Sequence, residues 1–361
     1  MTNRERIVAT LRGEKTDRVP FGVGLGFWPW GETLQRWQRE SGLKDLDLAG
    51  HFGYDPDFRV VPVEYGPWPH CPAAVIREDA EFIVSTEFRG MTWRNRRDGH
   101  SMPEFIAHPI KSADDWRRYR DERLQPHLEQ RLARLDEFAA QMAALDAPVQ
   151  LGCFPWGVFG TARDLLGAEE ILIGFYTQPE LIRDIMATYT KLWLSLFEPV
   201  AAAVRVDHIH IWEDMAGRQG SLISMTMVED FMMPHYDRIA EFAKRHGIPL
   251  ISVDSDGRVD ELVPVMMRHG VNAYLPFEVQ AGSDIEEFRR LYPRLGIIGG
   301  LDKNALADEA PPAAMHRELD RAARLLEHGG YIPGCDHLIP PNVPWKKWCD
   351  FLGQLRRLTG A

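Results

Sequence analysis

From residue 148 onward, short apolar runs alternate with longer helical stretches, and few folds accommodate that rhythm. The runs fall at 149–152, 207–212, 250–253, 272–277, 295–299 and 331–332. Strands separated by helices are joined by crossovers, so they pair in parallel, and a parallel sheet must be covered or closed on itself. So many units predict an α/β fold in which residues 1–361 form a single TIM (β/α)8 barrel. The competing arrangement, an open doubly wound sheet, gives no reason for short strands that end in acidic residues.

The amino-terminal half reads as the opening of the same domain. A short helix around 5–11 stops at Gly13 and Lys15, and Arg18-Val19-Pro20-Phe21-Gly22-Val23 reads as a first strand. It runs into the loop Gly24-Leu25-Gly26-Phe27-Trp28-Pro29-Trp30. Short β segments at 74–76, 81–84 and 91–93, with turn signals at Asp79 and Arg89-Gly90, predict an inserted β-hairpin over about 74–93. Ser112 with Asp115 marks the start of a charged helical region that ends near Leu145.

Charge excludes one class of function. The chain has 53 Asp and Glu against 42 Lys and Arg, a net −11, so no basic face suits a nucleic acid, and Arg94-Asn95-Arg96-Arg97 reads as a solvated hairpin end. No apolar run approaches the roughly 20 residues of a membrane helix. The start, Met1-Thr2-Asn3-Arg4-Glu5-Arg6, lacks the apolar stretch of a signal peptide. Cys71, Cys153, Cys335 and Cys349 are widely spaced, which suits free or metal-bound thiols in a reducing cytoplasm.

Alternation along the strands predicts which side chains reach the barrel mouth. In 207–214, Ile209 and Ile211 suit the outer face, so His208, His210, Trp212 and Asp214 point inward. In 250–256, Ile251 and Val253 face out, leaving Asp254 and Asp256 inside at the carboxyl end. Glu278, Asp302, and Cys335-Asp336-His337 close the next three strands. An Asp after a strand also serves as a helix cap or turn residue, a reading open for Asp302, Asp336 and the Asp254–Gly257 corner, while His208 suits a hydrogen-bonded core position. Convergence favours function, because several carboxylates at one mouth repel unless a cation, a proton or a substrate compensates. A divalent metal would do so, with Asp254, Asp256, Cys335 and His337 as ligands, and that mixed donor set suits zinc. Without a metal, the same groups suit acid–base work. Trp28 and Trp30 after the first strand, and Trp156 within Phe154-Pro155-Trp156-Gly157, suggest a wall for a flat or methylated substrate; core packing is the alternative for Trp156.

These pieces together resemble the uroporphyrinogen decarboxylase-like superfamily, which includes cobamide-dependent methyltransferases. The matching segments are Thr2-Asn3-Arg4-Glu5-Arg6, Asp17-Arg18-Val19-Pro20, Trp212-Glu213-Asp214-Met215-Ala216-Gly217 and His246-Gly247-Ile248-Pro249. Ser255-Asp256-Gly257, Gly299-Gly300-Leu301-Asp302, and Asp336-His337 with Ile339-Pro340-Pro341 complete the series. The resemblance implies a single α/β barrel and a homodimer. The porphyrinogen decarboxylases carry an arginine in the glycine-rich motif after the first strand, where this chain has none between Gly24 and Trp30. The methyltransferases bind zinc through His-x-Cys and a later Cys; here Asp254-Ser255-Asp256 stands in the first place and Cys335 is kept.

The expected function is a metal-assisted methyl or one-carbon transfer from a small methylated, aromatic substrate. Glu213, Asp214 and His210 are the candidate catalytic groups, and Trp28, Trp30, Trp156, Glu278 and Asp302 the candidate substrate contacts. The resemblance implies cobalamin carried by a partner corrinoid protein. A metal-free decarboxylase and a non-catalytic small-molecule-binding barrel are the alternatives.

Overall fold

The computed structural model describes residues 1–97 and 102–361. In chain order its strands are β1 (Arg59–Val60), β2 (Ala74–Glu78), β3 (Phe82–Thr86), β4 (Thr92–Arg96), β5 (Glu104–Ala107) and β6 (Val149–Leu151). There follow β7 (His208–Trp212), β8 (Ala216–Gly217), β9 (Gly220–Ser221), β10 (Leu250–Asp254), β11 (Ala273–Leu275), β12 (Gly296–Ile298) and β13 (Tyr331–Ile332). Among the described residues, seven of them form one curled parallel sheet in the order β1-β6-β7-β10-β11-β12-β13. Its last six strands coincide with the runs expected from the sequence, and β10 runs one residue further, to Asp254.

The expected first strand does not pair. Pro20 lacks a backbone N–H, and Gly22 and Gly24 have φ of 81° and 95°, outside the extended conformation a ladder needs. Residues 18–24 are held by side chains instead: Arg18 forks onto Asp55 at 2.6 Å, and the Gly24 N–H donates to Asp57 at 2.9 Å. Val23 still reaches the inner side of the sheet, where it packs with Leu250, Leu275, Ile298 and Ile332. The helix Asn3–Leu11, opened by a Thr2–Glu5 capping box, inserts Ile7 and Leu11 into this same cluster.

The expected hairpin is a larger structure. Strands β2 to β5 form a four-stranded antiparallel sheet that continues to Ala107. The segment 104–107 was missed because its alternation is short and follows a polar stretch.

Strand alternation divides the core as expected. Ile209, Ile211, Ile251, Val253, Tyr274 and Ile297 pack outward with the helices, in one large cluster that includes Tyr236 and Phe242 of Met233–His246. Each fully buried aliphatic side chain contributes about 1.5–3 kcal/mol. The inner face is apolar at Leu250 and Ile298 but polar at Gln150, His208 and Ser252, which bond to one another. That polar layer is the floor of the site. No described helix is long and apolar enough to cross a membrane.

Candidate active site

The floor is a chain of hydrogen bonds between three strands. Gln150 Nε2 donates to the Gly152 carbonyl at 2.9 Å, so Gln150 Oε1 faces His208 Nδ1 at 3.0 Å. His208 Nε2 lies 2.7 Å from Ser252 Oγ, which in turn lies 2.8 Å from His210 Nδ1. Burial lowers the pKa of both imidazoles, that of His210 to about 4, so both are neutral at pH 7.

Above the floor stands Asp254, paired in register with Trp212 as Ser252 is with His210. Its carboxyl makes no hydrogen bond or ion pair with a described residue. Desolvation first, and then the charge of Asp256, push its pKa well above the usual carboxylate range. Asp256 Oδ1 is buried without a partner among the described residues, and Oδ2 lies 3.5 Å from His337 Nε2. Burial alone would lower the His337 pKa, but Asp256 more than offsets this and leaves it raised. Trp30 stacks on the His337 ring at 6.2 Å and 23°. The Trp28–Trp30 loop is tied to Ile339 by backbone hydrogen bonds of 2.9 and 3.1 Å. Trp28 and Trp30 remain 39% and 37% exposed, which leaves ring surface for a ligand.

The remaining carboxylates of the mouth are occupied. Asp214, at φ 43°, forms a 2.8 Å ion pair with Arg163, whose guanidinium also meets the Asp214 carbonyl and lies 5.1 Å over Trp212. Glu278 accepts the Gly257 N–H at 3.0 Å and faces Lys303 at 3.9 Å. A cavity of about 230 Å³ beside Asp256 and Glu278 is also lined by Arg218 and Gln280. A larger cleft, about 320 Å³, lies away from the mouth, between Ile106–Lys111 and the helix Ala168–Thr177.

Four expected site residues have other duties. Glu213 follows Trp212 and so faces outward; fully buried, it accepts N–H groups of Val158, Phe159 and Gly160 at 2.7–3.0 Å and the Tyr236 hydroxyl at 2.7 Å. It anchors the amino end of the helix Val158–Leu166 rather than a substrate. Asp302 caps a short helix through Asn304 and receives Gln280, which fills its oxygens. Trp156 is 8% exposed and stacks on Tyr189 in the core. Cys335 is 1% exposed within the same apolar core, and burial pushes its thiol well above the usual range.

Among the described residues no three His, Cys, Asp or Glu side chains converge to hold a metal ion. The expected set of Asp254, Asp256, Cys335 and His337 is therefore not gathered as one ligand group; within it, Asp256 and His337 are in contact. The sequence reading had missed Gln150 and Ser252, although both sit at inward strand positions, and Lys303, which directly follows Asp302. Arg163 lies on a helix, and strand alternation gives no signal for it.

A family model described as Uroporphyrinogen decarboxylase (URO-D) matches residues 82–356. The chain belongs to the uroporphyrinogen decarboxylase family. A curated member similar to it is the Uroporphyrinogen decarboxylase of Anaeromyxobacter sp. (strain Fw109-5), 27% identical over 216 residues. That match covers 58% of this chain and 59% of the length of that relative. Among solved structures, the chain is similar to a methyltransferase from Methanosarcina mazei, with a TM-score of 0.62 and 18% identity. The superposition covers 100% of this chain and 98% of the other, which establishes a common fold. In this member of the uroporphyrinogen decarboxylase family, the mouth residues from Trp212 to His337 all lie within the matched span, whereas Trp28 and Trp30 lie outside it.

Proposed function

We propose that this chain is an enzyme that removes a methyl or other one-carbon group from a small, flat methylated substrate, with Asp254 as proton donor. The curled sheet, with residues 18–24 in place of an eighth strand, is read as a (β/α)8 barrel with its site at the carboxyl rim. The supporting observation is the state of Asp254: at the mouth, without a partner among the described residues, and with its pKa raised by burial and by Asp256. Burial disfavours the charged form of such a group, and with no hydrogen-bond partner among the described residues it suits a proton donor to a ligand.

A heteroatom releases a methyl group most easily when it does not depart as a strong base. In the proposed step the carbon–heteroatom bond breaks with its electron pair left on the heteroatom. That atom takes the Asp254 proton, and the methyl group passes to an external nucleophile. The family resemblance assigns the acceptor role to a corrinoid on a partner protein, which supplies a strong nucleophile when bound. Trp28 and Trp30 flank the mouth and suit a flat substrate. The chemistry of the site favours a ligand with little negative charge, because Arg163, His337 and Lys303 are already engaged by carboxylates, which leaves Arg218 on the cavity wall. Uroporphyrinogen decarboxylation would use the same acid, but its many carboxylates need cationic forks, and the Gly24–Trp30 loop offers none.

The test is a donor panel of aryl methyl ethers and methylamines, incubated with free cob(I)alamin as acceptor and followed by mass spectrometry of the donor. Demethylation should slow as pH rises through the elevated Asp254 pKa, because only the acid form donates. Asp254→Asn should lower the rate by about 10²–10⁴-fold. Conversion of uroporphyrinogen to coproporphyrinogen, with no demethylation of any donor, would contradict this reading.

A further inference from the structure

The floor of the site has a definite proton order. Gln150 Nε2 faces the Gly152 carbonyl, which only accepts, so the amide orientation is fixed and Gln150 Oε1 is the atom presented to His208. An oxygen without a proton requires Nδ1–H on His208. Since His208 is neutral, its Nε2 is then a bare lone pair, and the Ser252 hydroxyl must donate to it across 2.7 Å. Ser252 has one proton to give. Toward His210 its oxygen can only accept, which requires Nδ1–H on His210 as well. His210 is also neutral, so its Nε2 carries no proton.

We infer that Gln150 sets the tautomer of His210 through His208 and Ser252, so that the mouth presents a bare Nε2 acceptor and selects substrates bearing an O–H or N–H donor. The reversed order would set the Gln150 oxygen against a nitrogen lone pair, or need a charged His208 where burial opposes charge. His208 and Ser252 are fully enclosed (2% and 0% exposed), so water has little access to substitute for either partner. His210 is less enclosed, and its Nε2 has no partner among the described residues. Phe58 lies against the His208 ring at 4.4 Å and holds it in the layer. Gln150 and Ser252 are therefore positioning residues that act through His210. This inference rests on the proposed site for its substrate class, but the proton order itself does not depend on what reaction occurs.

The first measurement is the nitrogen-15 signature of the imidazoles in the full-length protein at pH 7. Wild type should show Nδ1–H on both His208 and His210. Ser252→Ala should leave His208 as it is and release His210 to the Nε2–H form that free imidazole prefers. Nε2–H on His210 in the wild type overturns the inference without any variant having to fold. The second measurement compares binding of 2-methoxyphenol and 1,2-dimethoxybenzene, which differ by one O–H. The phenol should bind about tenfold more tightly to wild type, and Ser252→Ala should abolish the preference. Equal affinities in wild type, or a preference that survives in Ser252→Ala, would overturn the substrate claim even if demethylation is observed. Failure of demethylation with the tautomers as stated would count against the proposed reaction alone.

Discussion

At the scale of single residues, exposure and partner decide which of the acidic and thiol groups can do chemistry. Asp254 and Asp302 look alike in sequence, each an Asp at a strand end, yet one lacks a partner among the described residues and the other caps a helix. Cys335 was expected beside Asp256 because both follow strands; the structure buries it in the apolar core. Replacing its thiol by a hydroxyl places an unpaired polar group there, so Cys335→Ser should cost about 1–3 kcal/mol in chemical denaturation. The same variant should leave the metal content of the purified protein unchanged. A zinc content that falls with this substitution would reinstate the thiol as a ligand. The alternation rule located His210 and Asp254 from sequence. It could not reveal that Glu213 points the other way to a useful end, because the helix it anchors is brought close only by the fold.

At the scale of elements, the link between β7 and the helix Val158–Leu166 positions the mouth. Glu213 collects three amide protons at the start of that helix, and the neighbouring Asp214 binds Arg163 from its last turn. Burial raises the Glu213 pKa, while these amide donors and Tyr236 act in the opposite direction. Glu213→Gln keeps the shape but turns an amide NH₂ toward groups that donate. It should destabilise the protein by about 1–3 kcal/mol in urea unfolding, and weaken donor affinity through Arg163 and Asp214. An unchanged unfolding midpoint would show that the helix end does not rely on this carboxylate. The parallel strands were legible because each is a continuous apolar run between helices. The first strand was misread because Arg18–Val23 has the right composition, whereas Pro20 and Gly22 deny it the ladder.

At the scale of the whole molecule, the fold brings strand ends far apart in sequence to one rim, while the antiparallel sheet lies between β1 and β6 in the chain. Its edge strands leave Val75, Ile76, Phe105 and Ile106 exposed, at 62%, 61%, 44% and 50%. Open edges with apolar side chains favour association. A homodimer, implied by the family resemblance, is the expected state; sedimentation of the protein at micromolar concentration as a monomer would contradict it. Sequence alone conveyed the parallel architecture and the acidic character of the rim. It could not convey that most of those charges are neutralised by Arg163, Lys303 and His337, since these pairs join residues 25 to 81 positions apart.

The protonation of Asp254 is the point on which the proposed chemistry depends most directly. Infrared difference spectroscopy of wild type against Asp254→Asn at pH 7 reads it without a substrate. A carbonyl band of a protonated carboxylic acid should be present in the wild type and missing in the variant, and it should fade as pH rises through the elevated pKa. A carboxylate band at pH 7 in its place would contradict the assignment of Asp254 as the proton donor.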